Sequence, residues 1–148
     1  MKAVIQRVTQ ASVTIEDQVT ASIGEGLLVL LGVAADDEEA DIKKLAKKMI
    51  DLRIFQDDQG KTNLSIEDIG GEILLVSQFT LLADCRKGRR PSFIKAGDPD
   101  RASRIFDDLV EECRKRIPVQ QGEFGADMKV SLVNDGPFTI LLDSKDLA

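Results

Sequence analysis

VIQRVTQASVTIEDQVTASIGEGLLVLLGV, residues 4–33, is the stretch that decides the fold. Within it Val4 to Val8, Val13 to Ile15, Val19 to Ile23 and Leu27 to Val33 read as strands, because β-branched and other apolar residues are bounded by polar or glycine positions. Glu16-Asp17-Gln18 and Gly24-Glu25-Gly26 are the expected hairpin connections. Antiparallel strands formed locally at the start of a chain argue against an alternating βαβ fold, whose parallel strands need long crossovers.

Helical periodicity begins only beyond that stretch. Ile42, Leu45, Ala46, Met49 and Ile50 repeat on one face, with Lys43, Lys44, Lys47 and Lys48 opposite and Glu38 and Glu39 at the positive end of the dipole. A second helix is predicted from Asp98 as N-cap and Pro99 as first residue; it places Ala102, Ile105, Phe106, Leu109, Val110 and Cys113 on one face and stops by Pro118. Ile73 to Ser77 reads as a strand, and Met128 to Val133 with Phe138 to Leu142 as a hairpin-like pair. No repeat, low-complexity tract or linker divides the chain. The expectation is a single α+β domain over residues 1–148, with a curled, barrel-like mixed or antiparallel β-sheet carrying two main helices.

Composition narrows the function. With 148 residues and 43% hydrophobic content the chain supports one core. Its longest apolar run, Leu27 to Val33, falls well short of the ~20 residues needed to span a bilayer. Gln6 and Arg7 interrupt the N-terminal apolar pattern, so no signal peptide is expected and a cytoplasmic location follows. Cys85 and Cys113 are expected as free thiols. The absence of histidine excludes a Ser-His-Asp triad and removes the commonest metal ligand, and nothing in the residues calls for a cofactor or a metal. A net charge of −6 disfavours broad nucleic-acid binding, yet a local basic patch can still hold phosphate.

Such a patch exists in Arg86-Lys87-Gly88-Arg89-Arg90-Pro91, which reads equally well as a solvated loop or as a contact for RNA phosphates. Ser77-Gln78-Phe79-Thr80-Leu81 ends a strand where free N–H groups and polar side chains could face a ligand, although such residues more often form a solvated face. Asn134-Asp135-Gly136-Pro137-Phe138-Thr139 has the composition of a turn. Gly122 to Met128 is a glycine-flanked loop whose Phe124 reads first as a core anchor.

Together these residues resemble the bacterial D-aminoacyl-tRNA deacylases of the D-tyrosyl-tRNA deacylase type. The likeness runs through Gln6-Arg7-Val8, Ser77 to Leu81, Lys87-Gly88-Arg89-Arg90-Pro91-Ser92-Phe93, Phe124-Gly125-Ala126-Asp127-Met128 and Asn134-Asp135-Gly136-Pro137, which is essentially the whole chain. It departs at Phe138, where valine is usual, and at Gln121, where threonine is common. The resemblance implies a homodimer that hydrolyses the ester between a D-amino acid and the terminal adenosine of tRNA. It implies Gln78, Phe79 and Thr80 as catalytic positions, and Ser77, Phe124, Met128 and Arg7 as substrate-binding or supporting ones. The Gly136-Pro137 turn, cis in that family, would enter the partner's pocket and reject L-aminoacyl esters. Arg86, Lys87, Arg89 and Arg90 would hold tRNA.

The chemistry leaves two routes open. Thr80 could attack the ester, but nothing like a histidine is present to activate it. Alternatively the N–H groups of Phe79 and Thr80 stabilise an oxyanion while water, assisted by the RNA 2′-hydroxyl, attacks. Two other functions fit the same residues: an RNA-binding module without catalysis, and a small-molecule hydrolase on a shared scaffold.

Overall fold

β1 (Lys2–Ile15) is one long strand rather than the two segments expected, and the rest of the sheet is ordered by what pairs along it. The computed structural model describes all of residues 1–148. Thr9 and Gln10 break the apolar pattern because they lie exposed where β1 changes register, while the backbone stays extended through them. That irregularity switches faces. Ala3 and Ile5 belong to the core under the helices, whereas Val8, Ala11 and Val13 belong to a second core on the opposite face.

β2 (Gln18–Ile23) folds back on β1 through a two-residue turn. Its residues Glu16 and Asp17 both adopt positive φ, 49° and 64°, as the twist of a tight hairpin requires. The second expected hairpin is different. β3 (Gly26–Gly32) continues in the direction of β2, since Ala11 pairs Ile23 and Val8 pairs Gly26 along the same edge of β1. Gly24 and Glu25 therefore interrupt a strand without reversing it.

α1 (Glu39–Asp51) follows, then a small hairpin of β4 (Phe55–Gln56) and β5 (Thr62–Leu64). β6 (Glu72–Ser77) joins β3 in parallel, and after α2 (Pro99–Arg114) the short β7 (Val119–Gln121) joins β6 in parallel. β8 (Lys129–Asp143) pairs antiparallel with β1 along both of its halves. The expected hairpin-like pair is thus a single strand, because both halves find their partner in β1 and not in each other. Strand order is β8-β1-β3-β6-β7, with β2 also on β1. The mixed sheet curls until the Ser22 amide on β2 donates to the Gln120 side chain of β7, 2.9 Å away, so the chain is an α+β domain with a nearly closed sheet.

Both helices cover one face of that sheet. Asp98 caps α2 by accepting from the Arg101 amide at 3.2 Å, and Pro99 occupies the first turn, as its sequence requires. Alternate residues of β3 and β6 face opposite ways: Leu27, Val29, Leu31, Ile73 and Leu75 meet the helices, and Leu28, Leu74 and Val76 fill the inside of the curl. Two buried faces explain the uninterrupted apolar runs. No helix is long and apolar enough to cross a membrane.

Candidate active site

The site begins where β6 runs out. Its last rung is the Gln78 amide donating to the Leu31 carbonyl at 2.7 Å, after which the chain tightens into a 3-10 turn over Phe79–Leu82. The first bond of that turn is donated by Leu81 to the Gln78 carbonyl at 3.2 Å, and the earlier amides, those of Phe79 and Thr80, have no carbonyl partner inside it. Gly32 makes the arrangement possible. A Cβ there would lie 2.5 Å from the Leu82 side chain and 3.0 Å from the Gln78 carbonyl oxygen, so only glycine lets the turn seat on the end of β3.

A cleft of about 640 Å³ opens beside these amides. Ser77, Gln78, Phe79, Phe124 and Met128 line it, joined by Phe93 and by the Ala96, Gly97 and Pro99 wall at the entry to α2. Phe124 serves two surfaces: it meets Phe106 of the core edge to face at 6.3 Å and turns its remaining exposed part to the cleft. Thr80 stands exposed and is not among the residues that line the cleft, and its hydroxyl accepts a hydrogen bond from the Gln78 side-chain amide. No thiol competes as nucleophile in this cleft. Cys85 is exposed outside it, and burial pushes the Cys113 thiol up to about 12.

Arg7, Gly136 and Pro137 are grouped elsewhere and line no part of this chain's own cleft. Between the pairs Gln6–Thr139 and Val8–Asn134, residues 135–138 stand opposite Arg7 alone, so the Gly136-Pro137 segment bulges from β8. Its peptide bond is cis. Arg7, only 7% exposed, donates from Nε to the Asp135 carbonyl at 3.0 Å and from Nη1 to the Ile54 carbonyl at 2.7 Å. Its guanidinium also lies 4.7 Å from the centre of the Phe138 ring. The Asn134 side-chain amide closes the base of the bulge, donating to the carbonyls of Arg7 and Phe138 at 2.9 and 3.0 Å. Gly136 sits at φ 138°, and a Cβ would come within 3.1 Å of the Arg7 guanidinium. The bulge is braced and solvent-facing at its tip.

The four cations of the basic loop are exposed. Arg86 is held by the Asp84 carboxylate, which it keeps below the usual carboxylate range, while Lys87, Arg89 and Arg90 project freely. Sequence reasoning left out Phe93 and the Ala96 to Pro99 wall as cleft residues; the only signal was that Phe93 closes the motif that starts with Lys87. It also left out the bracing role of Asn134, although that residue heads the motif ending in Gly136-Pro137, and the Ile54 carbonyl, for which the sequence holds no local signal.

Comparison with known proteins agrees over the full chain. D-aminoacyl-tRNA deacylase of Thermosipho africanus is 58% identical over 146 residues, with 98% of each chain covered. The protein of that name from Petrotoga mobilis is 54% identical over 149 residues, with 99% of each covered. Among solved structures, c-Myc DNA Unwinding Element Binding Protein superposes with a TM-score of 0.92 at 41% identity, covering 97% of this chain and 98% of its own. A structure described as "a probable eukaryotic D-amino acid tRNA deacylase" has a TM-score of 0.81 at 19% identity over 95% of this chain and 97% of its own, and carries the fold alone. The family model for D-Tyr-tRNA(Tyr) deacylase matches residues 4–143, and the chain belongs to that family of hydrolases.

Proposed function

We propose that this protein hydrolyses the ester of D-aminoacyl-tRNA in the cleft beside Phe79 and Thr80, as a homodimer in which each Gly136-Pro137 bulge enters the partner's cleft. The observation that carries the reading is an apolar, aromatic-lined cleft beside a 3-10 turn whose first amides have no partner within it, in a chain without histidine. An adenosine fits against Phe124 and Met128, and the ester carbonyl points at the amides of Phe79 and Thr80. Water then adds to the carbonyl carbon, assisted by the ribose 2′-hydroxyl, and the amides hold the negative oxygen. Collapse of that intermediate breaks the bond to the 3′ oxygen, which takes a proton and leaves as intact tRNA. Each such donor is worth about 3–4 kcal/mol.

Two features support the dimer. The braced bulge lies outside its own chain's cleft, and β8 pairs on one side only, with Val133 and Leu141 uncovered. Backbone suits a chiral wall because it cannot rotate aside as a side chain can. Placed near the α-hydrogen of a D-aminoacyl group, it would strike the side chain of an L isomer. Glycyl esters carry no such side chain and are admitted. The role is chiral quality control in translation, in the cytoplasm, without cofactor or metal.

An RNA-binding role without catalysis is the second reading, favoured by the free cations of the basic loop and by the nucleic-acid-binding name of one close structural relative. D-tyrosyl-tRNA and L-tyrosyl-tRNA incubated separately with the protein decide between them. Loss of the D ester alone is expected; binding with both esters intact would establish the second reading. In sedimentation, a monomer that retains full activity at assay concentration would refute the shared site.

A further inference from the structure

Six phenylalanines are the only aromatic residues in the chain, and two of them stand exposed together. Phe79 and Phe93 both line the cleft and meet edge to face with centroids 5.0 Å apart, and Ile94, next in the chain, is 89% exposed. Exposed paired aromatics are the platforms on which single-stranded bases stack.

Next to them lies a cation-lined hollow. Asp84 and Ser92 exchange backbone hydrogen bonds at 2.8 and 2.9 Å and so close the base of the basic loop. Asp84, Arg86, Lys87, Arg90 and Ser92 line a space of about 260 Å³ with no apolar residue in its wall. Arg86 is engaged by Asp84, donating from Nε to Oδ1 at 2.9 Å and from Nη2 to Oδ2 at 2.6 Å, which neutralises the one carboxylate present and stiffens the loop. Lys87 and Arg90 remain free, and with the Ser92 hydroxyl they suit one phosphodiester. Ser92 lines the hollow and its neighbour Phe93 lines the cleft; consecutive Cα atoms are about 3.8 Å apart, so the two sites share a wall.

We propose that this hollow and the Phe79–Phe93 pair form one subsite for the nucleotide preceding the esterified adenosine. The phosphodiester joining the two nucleosides lies between Lys87 and Arg90, and the preceding base stacks on the aromatic pair. Arg86 is a positioning residue for the loop. The inference rests on the ester-hydrolysis reading above and extends it from the terminal nucleoside to the strand that carries it.

The test compares kcat/KM for D-alanyl-adenosine with that for D-alanyl-cytidylyl-adenosine, which adds one phosphate and one base. The dinucleotide ester is expected to be preferred by at least about tenfold. Arg90→Ala and Phe93→Leu should each lower that ratio by at least about threefold, whereas Lys61→Ala, on the hairpin between β4 and β5, should keep it. With an abasic sugar in place of cytidine, the Arg90→Ala effect persists and the Phe93→Leu effect disappears. If wild-type protein cleaves both esters equally well, the subsite is overturned and the hydrolase reading stands. If neither ester nor D-alanyl-tRNA is cleaved, the hydrolase reading falls and takes the subsite with it.

Discussion

Arg7 holds Asp135: its Nε donates to the Asp135 carbonyl at 3.0 Å while the carboxylate of the same residue lies 3.7 Å from that nitrogen. The contact joins residues 128 positions apart and fixes the chain immediately before the Gly136-Pro137 bulge. A second donation, to the Ile54 carbonyl, anchors the guanidinium in the body of the protein. The shape of the bulge therefore depends on the buried Arg7 side chain together with Asn134 at its base.

Replacing the arginine tests the dependence. Arg7→Ala should cost about 2–4 kcal/mol of stability in urea denaturation, because the buried Ile54 carbonyl and the part-buried Asp135 carbonyl lose their donor and a cavity opens beneath Phe138. Arg7→Lys retains the charge but cannot reach both carbonyls with a planar fork. The lysine variant should fold, yet discriminate D- from L-tyrosyl-tRNA at least about tenfold less well. Unaltered discrimination in Arg7→Lys would show that the bulge needs no brace.

Thr80 separates the two chemical routes. Its hydroxyl is already engaged by the Gln78 side chain, and its amide is supplied by the backbone whatever side chain stands there. Thr80→Ala should lower the single-turnover rate by no more than about tenfold, since the oxyanion donors survive. A loss beyond about a thousandfold would make the hydroxyl the nucleophile and remove the backbone mechanism.

Acid stability reports on the network around Asp41. Burial by itself would raise the Asp41 carboxyl, but the Glu38 amide, the Ser144 hydroxyl and the Lys145 ammonium together hold it down at about 2 from 3.8. A folded-state value below the unfolded one contributes stability at pH values above 3.8, and that contribution disappears as pH falls towards 2. The shift corresponds to about 2 kcal/mol. Urea midpoints of wild-type protein should fall across this window more steeply than those of Asp41→Asn; parallel curves would assign the acid sensitivity to other carboxylates.

The helices were legible because each has one apolar face, and Asp98 and Pro99 mark the start of α2 by capping chemistry that acts within a single turn. The Glu16-Asp17 hairpin was legible for the same reason. Direction was not. Gly24 signals a break, but whether the chain reverses there depends on β1, which accepts β2 and β3 in line along one edge. Gly136-Pro137 likewise has the composition of a reversal, and only pairing with β1 on both sides of the bulge keeps β8 a single strand. Ser77 to Thr80 was legible as the end of a strand, whereas its proposed catalytic role came from the family resemblance and not from local pattern. The far wall of the cleft was not legible, because Phe93 and Pro99 reach it through tertiary packing that no local pattern encodes.

Exclusion by a backbone wall is the central claim, and glycine tests it most directly. Glycyl esters have hydrogen at both positions of the α-carbon, so a wall that strikes L side chains finds nothing to strike. Positive selection for a D side chain would have to rely on a contact of methyl size, worth about 1–3 kcal/mol. The measurement is a titration of the protein against D-alanyl-, glycyl- and L-alanyl-tRNA, with ester loss followed for each. D-alanyl- and glycyl-tRNA should both be cleaved at protein levels that leave L-alanyl-tRNA intact. Survival of glycyl-tRNA alongside L-alanyl-tRNA, where the D ester is cleared, would mean that the pocket selects the D side chain by attraction and that the Gly136-Pro137 bulge is not the discriminating element.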